Sequence, residues 1–180
     1  MSGQRRYSRP VMVGVLAVAG FVLAVLLSTR TVLGRDSEND NGIARGAGTT
    51  IIHGGTGAPN FVPVITTIAF HAERSGAGVT GEFECLALAP EPATGPGSGQ
   101  FTVNAMYVAG QVTGGSVQSD TATLTGTAQI TGLGAGTNVP FTFVVHKGGP
   151  GSAAVLTVNT LNFSFHEILV QGAFQIDDQK

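Results

Sequence analysis

From residue 121 to 130 the chain alternates strictly. Ala122, Leu124, Gly126, Ala128 and Ile130 fall on one side, and Thr121, Thr123, Thr125, Thr127 and Gln129 on the other. A period of two with one apolar and one hydroxyl face is the pattern of an antiparallel strand whose outer side meets water. The same period recurs downstream. "PFTFVV" puts Phe141, Phe143 and Val145 together. "LNFSFHE" puts Leu161, Phe163 and Phe165 opposite Asn162, Ser164 and His166, and "LVQGAFQI" groups Val170, Gly172, Phe174 and Ile176.

Turn signals separate these runs: "RSGAG" near 76, "PEPATGPGSG" at 90–99, "GLGAG" at 132–136 and "GGPGS" at 148–152. The pattern predicts strands over 61–71, 79–88, 100–108, 110–118, 121–131, 139–147, 155–165 and 167–176. With helix signals sparse, this is an all-β antiparallel meander of about eight strands. Closure into a small barrel or a flattened sandwich disposes of its edges. Pro140 stands at a strand start, where its missing N–H is tolerated.

The first 34 residues follow another pattern. Arg5, Arg6 and Arg9 precede an apolar run from Val11 to Leu27, extended by Ser28 and Thr29. Basic residues before an apolar stretch form an export signal. As a helix, residues 11–29 would be about 28 Å long, close to the ~30 Å of a bilayer's hydrocarbon core. The run exceeds an ordinary signal-peptide core and no Ala-x-Ala site follows, which favours an N-terminal membrane anchor over a cleaved signal peptide. Either way the arginines keep the N-terminus inside and send the rest out of the cytoplasm. No cysteine stands just after the run, which excludes a lipoprotein signal. Residues 35–60, "RDSENDNGIARGAGTTIIHGGTGAPN", are polar and then Gly-rich, and read as a flexible linker with a short strand at Thr50–His53 as an option. The expected organisation is leader 1–34, linker 35–60, β domain 61–176 and polar tail 177–180.

Composition supports strands and removes some functions. Only 11% of the residues are charged, against ~25% in soluble domains generally. Between Phe61 and Ile176 the cations are Arg74 and Lys147, set against Glu73, Glu82, Glu84, Glu91, Asp120 and Glu167. With a net charge of −2 and no basic cluster past residue 45, nucleic acid is not an expected partner. The single cysteine, Cys85, allows no intramolecular disulfide and reads as a small buried hydrophobe rather than a nucleophile.

The order "GSGQF…GQVTGGSVQSDTATLTGTAQITGLGAG…VPFTFVV…GGPG…LNFSF" resembles small glycine-rich β domains of predicted bacterial secreted proteins, over roughly residues 79–176. The resemblance implies fold and extracytoplasmic location and carries no established activity. Many of those domains have an acidic residue and Asp-Asn-Gly after the "FTV" strand. Here the stretch is "HKGGPG", which removes support for a cation site there.

The residues with chemistry are few. His53, His71, His146 and His166 are the histidines; His71 and Glu73 would share a strand face, and His146 or His166 could complete a zinc site only by folding. Glu82 and Glu84 also share a face, the pattern of a solvated surface more than of a glycosidase dyad. No metal-protease spacing, nucleophile elbow or phosphate loop is present; "GLGAGTN" links two strands. The expectation is therefore no catalytic residue, cofactor or metal ligand, and an envelope binding or structural module with an unidentified partner. Two alternatives remain. One is a lipid or small-ligand carrier whose cavity Phe141, Phe143, Phe163, Phe165 and Phe174 would line. The other is a small hydrolase or metal enzyme using His71, Glu73, His146 or His166.

Overall fold

The computed structural model describes residues 41–56, 64–91, 100–158, 160 and 162–179. They belong to a unit running Glu38–Lys180. The strands are β1 (Asn41–Thr56), β2 (Val64–Ser75), β3 (Gly78–Pro90), β4 (Phe101–Gln118), β5 (Thr121–Gly132), β6 (Gly136–His146), β7 (Ala153–Val158) and β8 (Phe163–Gln179). Each pairs antiparallel with its neighbour in sequence, and β8 pairs back with β1, so the eight strands form a closed barrel. The all-β meander expected from the alternation is what the chain forms, as a barrel and not a sandwich. The leader, with its expected hydrophobic helix over 11–29, lies outside the described residues. Among those described, no helix is long and apolar enough to cross a membrane.

The strand total is eight, but two of the expected boundaries are wrong in compensating ways. Most of the linker is β1, which pairs with β2 from Gly42↔Arg74 to Ile52↔Val64 and with β8 along its whole length. Its glycines read as flexibility, yet they are packing devices. A Cβ on Gly46 would come within 2.7 Å of the Phe174 ring and 2.9 Å of the Phe70 ring. Conversely, the expected strands 100–108 and 110–118 are one strand, β4. The expected gap at Ala109 is continuous strand, and Gly110 beside it is a buried interior position where a Cβ would approach Phe141 Cε1 to 2.7 Å.

The distal third needs three further corrections. The expected strand 155–165 instead spans the end of β7 and the start of β8, with Asn162 just before β8 taking a φ of 52°. The expected tail is not a tail: Asp177 and Asp178 pair with Ile43 and Gly42. Val170 and Gly172 do not share the inner face of Phe174. The register shifts between Thr49 and Thr50, Gly172 takes a φ of 113°, and Val170 is pushed outward to 44% exposure. An extra residue on one strand of a pair reverses the phase of the alternation beyond it. Leu169 and Phe174, five apart, therefore both point inward and are buried.

The interior is packed by large and small residues in turn, which is how a small barrel fills its lumen. One register row reads Phe174, Gly46, Phe70, Phe83, Gly110, Ala128 across six strands. Phe83 lies 4.6 Å from Phe143 and 5.3 Å from Phe141 between ring centroids, and Phe70 lies 5.3 Å from Phe143 and 5.6 Å from Phe174. These separations are those of favourable aromatic pairs. The outer face carries hydroxyls. Thr125, Thr142, Thr157, Ser164 and Thr56 lie in register across five strands.

Candidate functional site

The barrel disperses the residues that sequence alone singled out. His71 and Glu73 do share the outer face of β2, with Nε2 and Oε1 3.2 Å apart, and both are exposed. Glu82 and Glu84 share the outer face of the adjoining β3, where Glu82 stands in register with His71 and Glu84 accepts a long hydrogen bond from Tyr107 Oη at 3.4 Å. His146 ends β6, four strands round the barrel from β2, and approaches Thr121 at 3.2 Å. His166 lies near the start of β8 beside His53, with ring centroids 6.4 Å apart. An eight-strand ring places β2 and β6 on opposite walls, so His71 and His146 cannot converge. Among the described residues no group of three His, Cys, Asp or Glu side chains is placed to hold a metal ion.

The phenylalanines divide into two groups. Phe141, Phe143 and Phe174 belong to the ring cluster in the lumen, where Phe70 and Phe83 join them. Phe165 is buried and Phe163 half-buried, 6.2 Å apart in an edge-on pair on β8. The first group meets ring to ring, so that level of the lumen is occupied by the protein's own side chains.

One cluster of polar chemistry lies inside the barrel, and it was not anticipated. Glu167, on β8, is 1% exposed. Its Oε2 accepts hydrogen bonds from the hydroxyls of Thr50 on β1 and Thr66 on β2, themselves buried and in contact with each other. Its Oε1 has no hydrogen-bond partner. Burial raises the carboxyl's pKa above the ordinary range, and the two hydroxyls offset this only in part. Cys85, on β3, is buried as expected. Its thiol is held well above its usual pKa, first by burial and second by the nearby Glu167. A thiol so placed stays protonated and is a poor nucleophile.

The signal for Glu167 was present in the alternation. Phe163 and Phe165 define an inner face, and one more step of two reaches Glu167. The expected break between strands at 165–167 interrupted that count. Thr50 was hidden in the supposed linker.

A second polar cluster closes the other end of the barrel. Arg74, at the end of β2, donates from Nη2 to Asp178 Oδ1 at 2.6 Å and from Nη1 to the carbonyl of Val117. The backbone N–H of Ser119 donates to the other oxygen of Asp178 at 3.3 Å. Lys147 donates to the Ile176 carbonyl at 2.8 Å and lies 3.7 Å from Asp177. These groups tie together strand ends and turns, and their donors and acceptors are turned towards one another.

No family model, curated protein or solved structure matches the chain.

Proposed function

We propose that the chain is an exported or membrane-anchored envelope protein whose barrel serves as a non-enzymatic binding or structural module. The observation that carries this reading is the packed lumen: Phe70, Phe83, Phe141, Phe143 and Phe174 fill it by mutual contact, leaving the outer wall as the surface that meets a partner. The threonine and serine row across β5, β6, β7, β8 and β1 suits that use, being hydrated without dense charge. The same ring contacts weigh against the carrier alternative at that level of the barrel. The scatter of His71, His146 and His166 over different walls and ends weighs against the metal-enzyme alternative.

Location rests on the leader. Arg5, Arg6 and Arg9 ahead of Val11–Thr29 support an N-terminal helix in the membrane or a cleaved signal, with the barrel outside. The resemblance to secreted glycine-rich β domains points the same way. A reporter that folds only after export, fused beyond Lys180, is expected to be active, and a cytoplasm-only reporter inactive. The reverse result overturns the location. Carbonate extraction separates the two leader readings: an anchored chain stays with the membrane and a cleaved one is released.

A further inference from the structure

We propose that Glu167 is a proton-operated latch on the barrel's closing seam: protonated, it fastens β8 to β1 and β2 through Thr50 and Thr66, and ionised, it lets that seam open. The inference is independent of the proposed function. One ladder makes the sheet a barrel, the pairing of the first and last strands. That ladder shifts register twice, between Thr49 and Thr50 and between Ile52 and Gly54. Only Thr50, Ile51 and Ile52 lie between the two shifts, paired with Leu169, Ile168 and Glu167. A three-residue stretch bounded by irregularities on both sides has few backbone bonds to hold it.

Side chains span the same stretch. The Glu167 carboxyl crosses from β8, takes the Thr50 hydroxyl on β1, and reaches past it to Thr66 on β2. Its surroundings favour the neutral acid on balance: burial outweighs the two hydroxyl donors, which by themselves favour the carboxylate. From β1 and β2 come two uncharged hydroxyls, and from β3 the buried thiol of Cys85. On β7 its register partner is Ala154, also buried. Among the described residues, the buried polar side chains are Thr50, Thr66 and Glu167, none of them a cation. His53 and His166 are at this end too, but both are exposed on the outer wall. An ionised carboxyl in the lumen would thus have two hydroxyl donors on one oxygen, none on the other, and no countercharge. Such a charge is strongly disfavoured.

The direction of the pH dependence follows. Burial raises the folded-state pKa of Glu167 above its ordinary 4.5. The closed seam therefore holds its proton more tightly than the open one, and closure is strongest below the ordinary carboxylate range. As pH rises from there towards the raised pKa, the opening equilibrium grows by up to about tenfold per pH unit, then levels off.

The test is pH-resolved hydrogen exchange on the full chain, corrected for intrinsic exchange rates, comparing 50–52 and 167–169 with the β5–β6 ladder around Leu124 and Phe143. Between about pH 5 and about pH 8 the seam is expected to lose protection relative to β5–β6, by up to about tenfold per pH unit until the raised pKa is passed. Glu167→Gln, which keeps the shape and removes the ionisation, is expected to abolish that difference. A seam that does not change in the native chain, or changes equally in Glu167→Gln, overturns the proposal. Should the variant not fold, carbon NMR of the Glu167 carboxyl in the native chain decides. A carboxyl still protonated above the ordinary range supports the latch, and one that ionises within that range sinks it.

Discussion

Arg74 and Asp178 meet at 2.6 Å across β1, joining the second strand to the last one. Their side chains are 15% and 9% exposed, so the pair is only weakly screened by water. Arg74 also reaches the Val117 carbonyl beside the β4–β5 turn. Arg74→Met removes the guanidinium from Asp178, which keeps the Ser119 N–H. The expected loss of stability lies between the ~1 kcal/mol of an exposed pair and the ~3–5 kcal/mol of a broken buried one. Denaturant unfolding measures it. Asp178→Leu added to Arg74→Met should cost less than the two single changes summed, because each alone removes the opposite charge from a part-buried partner. Simple additivity would mean that the pair contributes nothing.

Cys85 provides a measure of how closed the interior is. It is 1% exposed, with its thiol held protonated by burial and by Glu167. A maleimide should label the native chain at the rate of barrel opening and label the denatured chain rapidly. Raising the pH towards the ordinary thiol range should accelerate labelling of the unfolded chain more than of the native one. Fast native labelling at neutral pH would contradict the buried placement of β3's inner face.

What the alternation revealed, and where it failed, can be traced to particular residues. Leu124, Phe141, Phe143 and Val145 were assigned inward from period two alone, and all are buried. Period two works there because the inner side chains are large and the outer ones are hydroxyls. β1 fails the same test because its inner positions 44, 46 and 48 are Ala, Gly and Gly. Their contribution is the space they leave for Phe174, Phe70 and Leu169, and a missing side chain leaves no hydrophobic mark. Val170 failed for another reason. A bulge adds one residue and inverts the phase, and its cause, the pairing with Thr49 and Thr50, is remote in sequence. Glu167 combines both difficulties, since its partners lie on the strand mistaken for a linker and on β2. Which walls the histidines occupy depended on closure, which brings His53 beside His166 and sets His71 and His146 on opposite sides.

The space-making role of glycine can be tested at Gly110. Its backbone φ lies outside the left-handed region, so an added methyl introduces contact and no conformational strain. That methyl would stand 2.7 Å from Phe141 Cε1 and 3.0 Å from Cζ. The ring is buried against Phe83 and has little room to yield. Gly110→Ala should therefore destabilise by about 1–3 kcal/mol, as overpacking does. Combining it with Phe141→Leu should recover part of that loss by shortening the side chain it strikes. A neutral or stabilising Gly110→Ala would show that position 110 is loosely packed.

The sheet's faces are tested most directly on β5 and β6. Leu124 is fully buried, in register with Phe143, while Thr123 points outward and is half-exposed beside Val144. Leu124→Ala should cost roughly 2–5 kcal/mol, because the removed methyls leave a void that Phe143 and its neighbours close only in part. Phe143 touches both Phe70 and Phe83, so Phe143→Ala should cost about 3–5 kcal/mol. Thr123→Lys, with its new charge free to reach water, should cost about 0.5 kcal/mol or less. The three values are read from denaturant unfolding of the full chain in one buffer. The comparison discriminates because a slip of one residue exchanges every inner position with an outer one. If Thr123→Lys unfolds the barrel while Leu124→Ala leaves it intact, the register of β5 against β6 is off by one, and the phenylalanine-filled lumen is wrong with it.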